Sequence, residues 1–360
     1  MFLTQLNIRR VRNLSSVQIE PDPCLNLVYG ENASGKTSLL EAIHVLSQGK
    51  SFRTPKILNV IQNSTANLQV VGHVKKSIDK NSDILGIERS IGKSIIRINK
   101  LAVSKTSELA SYLPVQVITP EAHQLLEQGP SQRRKFIDWG LFHVEHDFLS
   151  HWQKYHKILK QRNAAIRKKS VLKEIRIWDN SLIETGLILS KLRITYLEQL
   201  IPLIQIVVKE LLNLDLNMHY YPGWGSKYDG MKQAITETIN TDLKQGYTQS
   251  GPHRAELHIT SDNIAAKDVL SRGQQKLLVC ALRLAQIEHL KLKTGHNCIV
   301  MIDDLAAELD ESKRTVLLDH LQRVGAQTFV TVTEPELVKT DSWKTKKLFH
   351  VEHGNIHEVL

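Results

Sequence analysis

The chain has 360 residues, 41% hydrophobic and 23% charged, the balance of a globular protein with two domains or one large domain carrying an insertion. Forty-seven Lys and Arg against 37 Asp and Glu leave a net charge of +10, which favours a polyanionic partner such as nucleic acid. No apolar run reaches the ~18 residues that cross a bilayer, and three cysteines without a CxxC pair argue against a disulfide framework or a structural zinc site.

Residues 1–13 set Arg9, Arg10 and Arg12 where a secretion signal has its apolar core, so the expected setting is cytoplasmic and reduced. Residues 25–29 form a short apolar strand that runs into Gly30, Glu31, Asn32, Ala33, Ser34, Gly35, Lys36 and Thr37. This is GxxxxGK[ST], and a helical pattern over 38–46 follows it, with Gly49 as its stop. The two glycines let successive N–H groups turn toward phosphate oxygens at a helix N-terminus. Lys36 would reach the β- and γ-phosphates, and the Thr37 hydroxyl would ligate Mg²⁺. ATP and Mg²⁺ are therefore the expected cofactors.

Three β-patterned stretches follow, at 68–74, 84–89 and 94–100, the last two joined as a hairpin by residues 90–93. From about residue 120 to 212 the pattern is helical. The pair His143 and His146 has no further ligands at metal spacing and reads as loop or surface histidines. Between 151 and 176 there are nine cations and one acid, Glu174. Lys154, Lys157, Lys160, Arg162, Arg167, Lys168 and Lys169 are candidates for phosphate contact, and Trp152 and Tyr155 for stacking on unpaired bases or for the core. Residues 220–225 break the helical pattern, and the head resumes near Gly251.

Ser271, Arg272, Gly273 and Gln274 open a helical pattern that runs to 292, a second helix-start anion site, this one without a lysine. Residues 297–302 read as a buried strand ending in Asp303 and Asp304. Asp303 stands where a carboxylate holds the metal's water shell, and Asp304 where a second acid polarises the attacking water. Lys36, Asp303 and Asp304 are thus the candidate catalytic residues. The order of P-loop, Ser-Arg-Gly-Gln and strand-end Asp is that of the ATP-binding cassette, and no Asn-Lys-x-Asp guanine-reading motif is present.

The whole chain resembles the RecF family, in the SMC-like branch of the ABC ATPases. The resemblance rests on Arg12-Asn13, on residues 49–54, 118–121, 129–139 and 160–165, and on Gly251-Pro-His-Arg254. It implies an α/β fold: an ABC/SMC-type P-loop head with an antiparallel β-subdomain, made of residues 1–118 and 250–360, with a mostly helical arm at 119–249. It also implies an ATP-dependent DNA-binding protein of recombinational repair that acts at single-strand gaps or ss/dsDNA junctions. Such proteins help load RecA with RecO and RecR, and support replication restart and the SOS response. ATP would be sandwiched in a homodimer, with Ser271, Arg272, Gly273 and Gln274 of one copy facing the P-loop of the other. Arg12 would touch nucleotide, Gln116 would sense the γ-phosphate near the Q-loop, and residues 307–310 would occupy the D-loop. Asp304 replaces the usual glutamate and Thr331-Val-Thr333 the switch histidine, so hydrolysis is expected to be slow. These departures disfavour the ATPase subunit of a membrane transporter, and the short arm disfavours a chromosome-organising SMC protein.

Overall fold

The computed structural model describes residues 1–76, 81–305 and 309–359. Two compact units divide the chain, one of residues 1–122 with 276–360 and the other of residues 123–275.

The first unit is built on two six-stranded sheets. In one, the strands run in the order Leu14–Ile19, Phe2–Val11, Asn67–Lys75, Asp83–Ser90, Lys93–Ile98 and Leu101–Val103, antiparallel throughout. Leu85, Ile87, Ile96 and Ile98 alternate inward as a half-buried sheet requires. The third expected strand stops at Ile98 because Asn99 and Lys100 take positive φ, turning the chain into the short strand Leu101–Val103. The other sheet has the order Asn355–Glu358, Lys346–Glu352, Leu25–Tyr29, Gln327–Val332, Ile299–Ile302 and Val115–Ile118. All its pairings are parallel except that of the first strand. Gln327–Val332 and Ile299–Ile302 are buried at every position, as parallel strands covered on both faces are.

Between the sheets lies the helix Lys36–Gln48. Leu39, Leu40, Ile43, Val45 and Leu46 are fully buried, in one core with Leu3, Ile8, Phe329 and Phe349. Gly72 makes this close packing possible, since a Cβ there would lie 2.5 Å from Leu46 Cδ2 and 2.8 Å from Leu3 Cδ1. The consequence for the site is direct: the helix that carries Lys36 and Thr37 is fixed on both faces by apolar burial.

The second unit contains the helices Pro130–Val144, Phe148–Arg167 and Asp179–Leu212, with a three-stranded sheet ordered Ile264–Ala265, Glu256–Ser261 and Asn217–Tyr221. The unit is therefore not wholly helical. The boundary expected at residue 250 falls at 275, because Glu256–Ser261 pairs with Asn217–Tyr221 and Arg133 makes a bidentate ion pair with Glu256. Arg193 likewise grips Asp138 through two nitrogens and donates to the Pro252 carbonyl at 2.7 Å. Arg193 thus bridges the landmark stretches 129–139 and 251–254, through Asp138 and the Pro252 carbonyl.

Candidate functional site

The P-loop sits where the buried strand Leu25–Tyr29 gives way to the helix. Gly30 has φ 147°, and a Cβ there would lie 2.3 Å from the Val351 carbonyl oxygen, so no side chain fits. Ala33 also takes positive φ. The loop is braced from outside: Asn13 donates to the Ser34 carbonyl at 2.8 Å and accepts from Ser38 Oγ at 2.9 Å, and the Gly354 N–H donates to the Ser34 carbonyl at 2.9 Å. Glu31, Asn32 and Ala33 are exposed, whereas Ser34 and Gly35 are buried. Ser34 Oγ has no hydrogen-bond partner among the described residues. An orphaned hydroxyl inside a glycine loop fits a bound phosphate, whose oxygens would satisfy it.

Lys36 folds back over the loop and donates to the carbonyl oxygens of Gly30 at 2.6 Å and Glu31 at 2.8 Å. Burial lowers its pKa, against the pull of the Asp304 and Asp303 charges. Thr37 Oγ1 donates to Asp303 Oδ1 at 2.9 Å, and Thr331 Oγ1 donates to the same oxygen at 2.9 Å. Burial raises the pKa of Asp303, opposed by the bonds from Thr331 and Thr37 and by the charge of Arg53. Asp304 takes φ 55°, and its N–H donates to Thr331 Oγ1 at 2.8 Å.

Thr37 and Asp303 together offer the hydroxyl and carboxylate oxygens that a hard cation takes. Among the described residues no cluster of three or more His, Cys, Asp or Glu forms a metal cage. That fits Mg²⁺, which uses few protein ligands and completes its shell with water and phosphate oxygens.

Residues 2–357 match the RecF/RecN/SMC N terminal domain. The chain is 41% identical over 360 residues to the DNA replication and repair protein RecF of Shewanella piezotolerans, with 99% of each covered. It is 40% identical over 361 residues to that of Mannheimia succiniciproducens, with 100% of each covered. The chain belongs to the RecF family of DNA replication and repair proteins.

Among solved structures, the recombination mediator protein RecF-ATP in the RecFOR pathway aligns with TM-score 0.89 at 27% identity, over 100% of this chain and 98% of that one. The corresponding RecF-ATPrS structure gives 0.88 over the same coverage. An SMC head bound to the C-winged helix domain of ScpA aligns with TM-score 0.60 at 13% identity, a likeness of fold alone. The fold is thus the SMC/RecF ATPase head.

Other candidates from the sequence of this RecF-family chain take different positions. Arg12 is bound through Nε and a terminal nitrogen to the buried Glu41, at 2.7 and 2.9 Å, and Ser51 Oγ donates to the same carboxylate. Its guanidinium is thereby tied to the P-loop helix and to the loop 49–54. Gln116 is not free to sense a phosphate. It is 1% exposed, accepts from Arg283 at 2.6 Å and donates to Gln286 at 3.1 Å, so both ends of its amide are engaged. Of the expected D-loop, Ala307 and Glu308 lie outside the described residues.

In the second unit Ser271, Arg272, Gly273 and Gln274 are all exposed. The Gln274 N–H donates to Ser271 Oγ at 3.3 Å and the Ser271 N–H donates to Gln274 Oε1 at 3.0 Å, a reciprocal cap on the helix Arg272–Thr294. On the helix Phe148–Arg167, Lys154, Lys157, Lys160 and Arg167 are exposed, as are Lys168 and Lys169 just beyond it. Arg162 is not. It is fully buried and bound to Asp179, Asp242 and Thr248 at 2.7–2.8 Å, which removes it from the DNA candidates. Tyr155 is buried with its hydroxyl 2.7 Å from His253 Nδ1, and Trp152 donates to Asp138 at 3.2 Å. Neither is placed as a free stacking platform.

Three contributors escaped the sequence reading. Thr331, noted only as standing where a histidine was expected, joins Asp303 to Asp304. Asn13 braces the P-loop, and Arg53 sets its charge near Asp303. Only the landmarks at residues 12–13 and 49–54 pointed toward the last two.

Proposed function

We propose that this chain is an ATP-switched DNA-binding protein of recombinational repair, replication restart and the SOS response. In this reading ATP and Mg²⁺ occupy the P-loop, with Lys36 on the phosphates and Thr37 and Asp303 on the metal. Asp304 orients the attacking water, and hydrolysis is slow. Two copies close on the nucleotide, each offering Ser271, Arg272, Gly273 and Gln274 to the other's P-loop. The closed dimer holds DNA at gaps or ss/dsDNA junctions and, with RecO and RecR, helps load RecA. Dimerisation and ATP binding then favour each other by linkage, and hydrolysis releases both.

What carries the reading is the meeting of Lys36, Thr37 and Asp303 in a chain that is 41% identical to a RecF protein over its full length. The exposed cap at Ser271 and the lysines along 154–169 support the dimer and the DNA contact. No helix among the described residues is long and apolar enough to cross a membrane. The test is ATP turnover with and without gapped duplex, beside DNA binding with and without ATP. Gapped duplex is expected to raise turnover and ATP to raise DNA affinity. Turnover and DNA binding that are each indifferent to the other ligand would overturn the reading.

A further inference from the structure

The second unit has an end whose chemistry the lysine row alone does not explain. After the helix Phe148–Arg167 the chain turns through Lys169, which takes φ 55°, a left-handed conformation usually left to glycine. The short helix Leu172–Arg176 follows, anchored by the buried Ile175 against Ile166 and Ile239. Around that anchor nearly everything faces solvent. Val171, Leu172 and Ile177 are 66%, 45% and 67% exposed. Arg167, Lys168, Lys169, Lys173 and Arg176 are exposed beside them, against the single acid Glu174. Three large apolar side chains are thus left in water within seven residues of chain, beside five cations.

The row of cations leading to this end narrows what would cover them. On the helix Phe148–Arg167, Lys154 and Lys157 share one face, which Lys168 continues just beyond the helix end, with Lys160 and Arg167 on its flank. From Lys154 to Lys168 is 14 residues, about 21 Å of helical rise, the length of roughly six base pairs. A line of cations of that length matches a line of phosphates. An anionic membrane would meet the tip and leave Lys154 and Lys157 without a counter-charge, whereas a duplex lying along the helix meets both.

We propose that Val171, Leu172 and Ile177 cap the end of the duplex at a ss/dsDNA junction, covering the exposed face of its terminal base pair, while the lysine row holds the phosphates behind it. Apolar side chains at base steps are an established way for proteins to meet unstacked bases. A duplex closed into a circle offers no such face, so the tip supplies preference for the junction rather than general affinity. The proposal rests on the DNA-binding reading above but assigns the choice of DNA structure to different residues.

The experiment uses the full chain with a non-hydrolysable ATP analogue and Mg²⁺, and measures affinity for a continuous duplex closed into a circle and for a linear duplex of the same sequence ending in single-stranded tails. The triple variant V171S/L172N/I177N is expected to keep its affinity for the continuous duplex and to lose about fivefold to tenfold in preference for the junction. Its thermal midpoint, matched to wild type, shows that the exposed positions are not needed for folding. Lys154→Glu with Lys157→Glu should weaken both DNAs by the same factor. If that pair changes neither, the lysine row is not the DNA track and the proposal falls with it. A triple variant that weakens both DNAs equally, or neither, overturns the cap. So does one whose only loss is binding to phosphatidylserine vesicles, which would assign the tip to a membrane surface.

Discussion

Thr37 Oγ1 donates to Asp303 Oδ1 at 2.9 Å across 266 residues of sequence, and this bond joins the first turn of the P-loop helix to the end of the strand Ile299–Ile302. Thr331 donates to the same oxygen. Burial still raises the Asp303 pKa above the ordinary carboxylate value of 3.8. A raised folded-state pKa means that the charged form costs the folded state energy. This cost is absent below pH 3.8 and grows as pH rises through the folded pKa. Asp303→Asn removes that charge. The nucleotide-free variant is therefore expected to melt above wild type at neutral pH and to lose the stabilisation that ATP with Mg²⁺ gives the wild type. Differential scanning fluorimetry with and without MgATP reads both, and a variant that melts lower while keeping the MgATP shift would remove the metal role.

Arg12 and Glu41 set up a second comparison. Glu41 is fully buried, and Arg12 is its only cationic partner among the described ion pairs. Arg12→Ala leaves a buried carboxylate with only the Ser51 hydroxyl, so a loss of about 3 kcal/mol in urea unfolding is expected. Adding Glu41→Ala should restore part of that stability, because the orphaned charge is gone. ATP affinity separates the roles. If Arg12 also touches nucleotide, the double variant regains stability but not ATP binding. Recovery of both would make Arg12 a brace of the P-loop helix alone.

The arm cations divide in the same way. Arg162→Ala breaks buried pairs to Asp179 and Asp242 and is expected to cost about 3–5 kcal/mol, whereas the exposed Lys157→Ala should stay within about 0.5 kcal/mol. DNA binding reverses the order. Lys154→Ala with Lys157→Ala should lower the slope of log affinity against log salt by about 2, near 0.9 for each lost phosphate contact. An unchanged slope would take these two lysines off the DNA.

Much of the head could be read from the sequence because its parts are local. GxxxxGK[ST] needs only eight residues, and the apolar run ending in Asp303 needs six. The strand-to-helix junction at Gly30 and the buried strand Ile299–Ile302 both follow from such short signals. What stayed hidden depends on pairing between distant segments. Nothing near Gln116 announces that Arg283 and Gln286 take both ends of its amide, and nothing near Arg162 announces Asp242 eighty residues on. A charge run looks alike on the wet and dry sides of a helix until its partners are known. The final strands Lys346–Glu352 and Asn355–Glu358 were missed for the opposite reason: histidines and charges interrupt their alternation, and sheet pairing rather than propensity makes them strands.

Ser271 offers the sharpest test of the dimer. Its hydroxyl and the Gln274 side chain cap the helix Arg272–Thr294 reciprocally, and both residues are exposed. Ser271→Ala should therefore cost only about 1 kcal/mol, the worth of one cap, and leave the fold intact. Ser271→Arg adds bulk and charge to the surface that a second copy's nucleotide would meet. It is expected to bind ATP as wild type does, since Lys36, Thr37 and Asp303 belong to its own P-loop, but to remain monomeric with a non-hydrolysable analogue and Mg²⁺. Sedimentation velocity beside analogue titration separates the two effects. Lys36→Ala is the complementary control, losing ATP binding and, with it, the dimer. Ser271→Arg dimers as abundant as wild type would mean that the exposed cap is no more than a helix end.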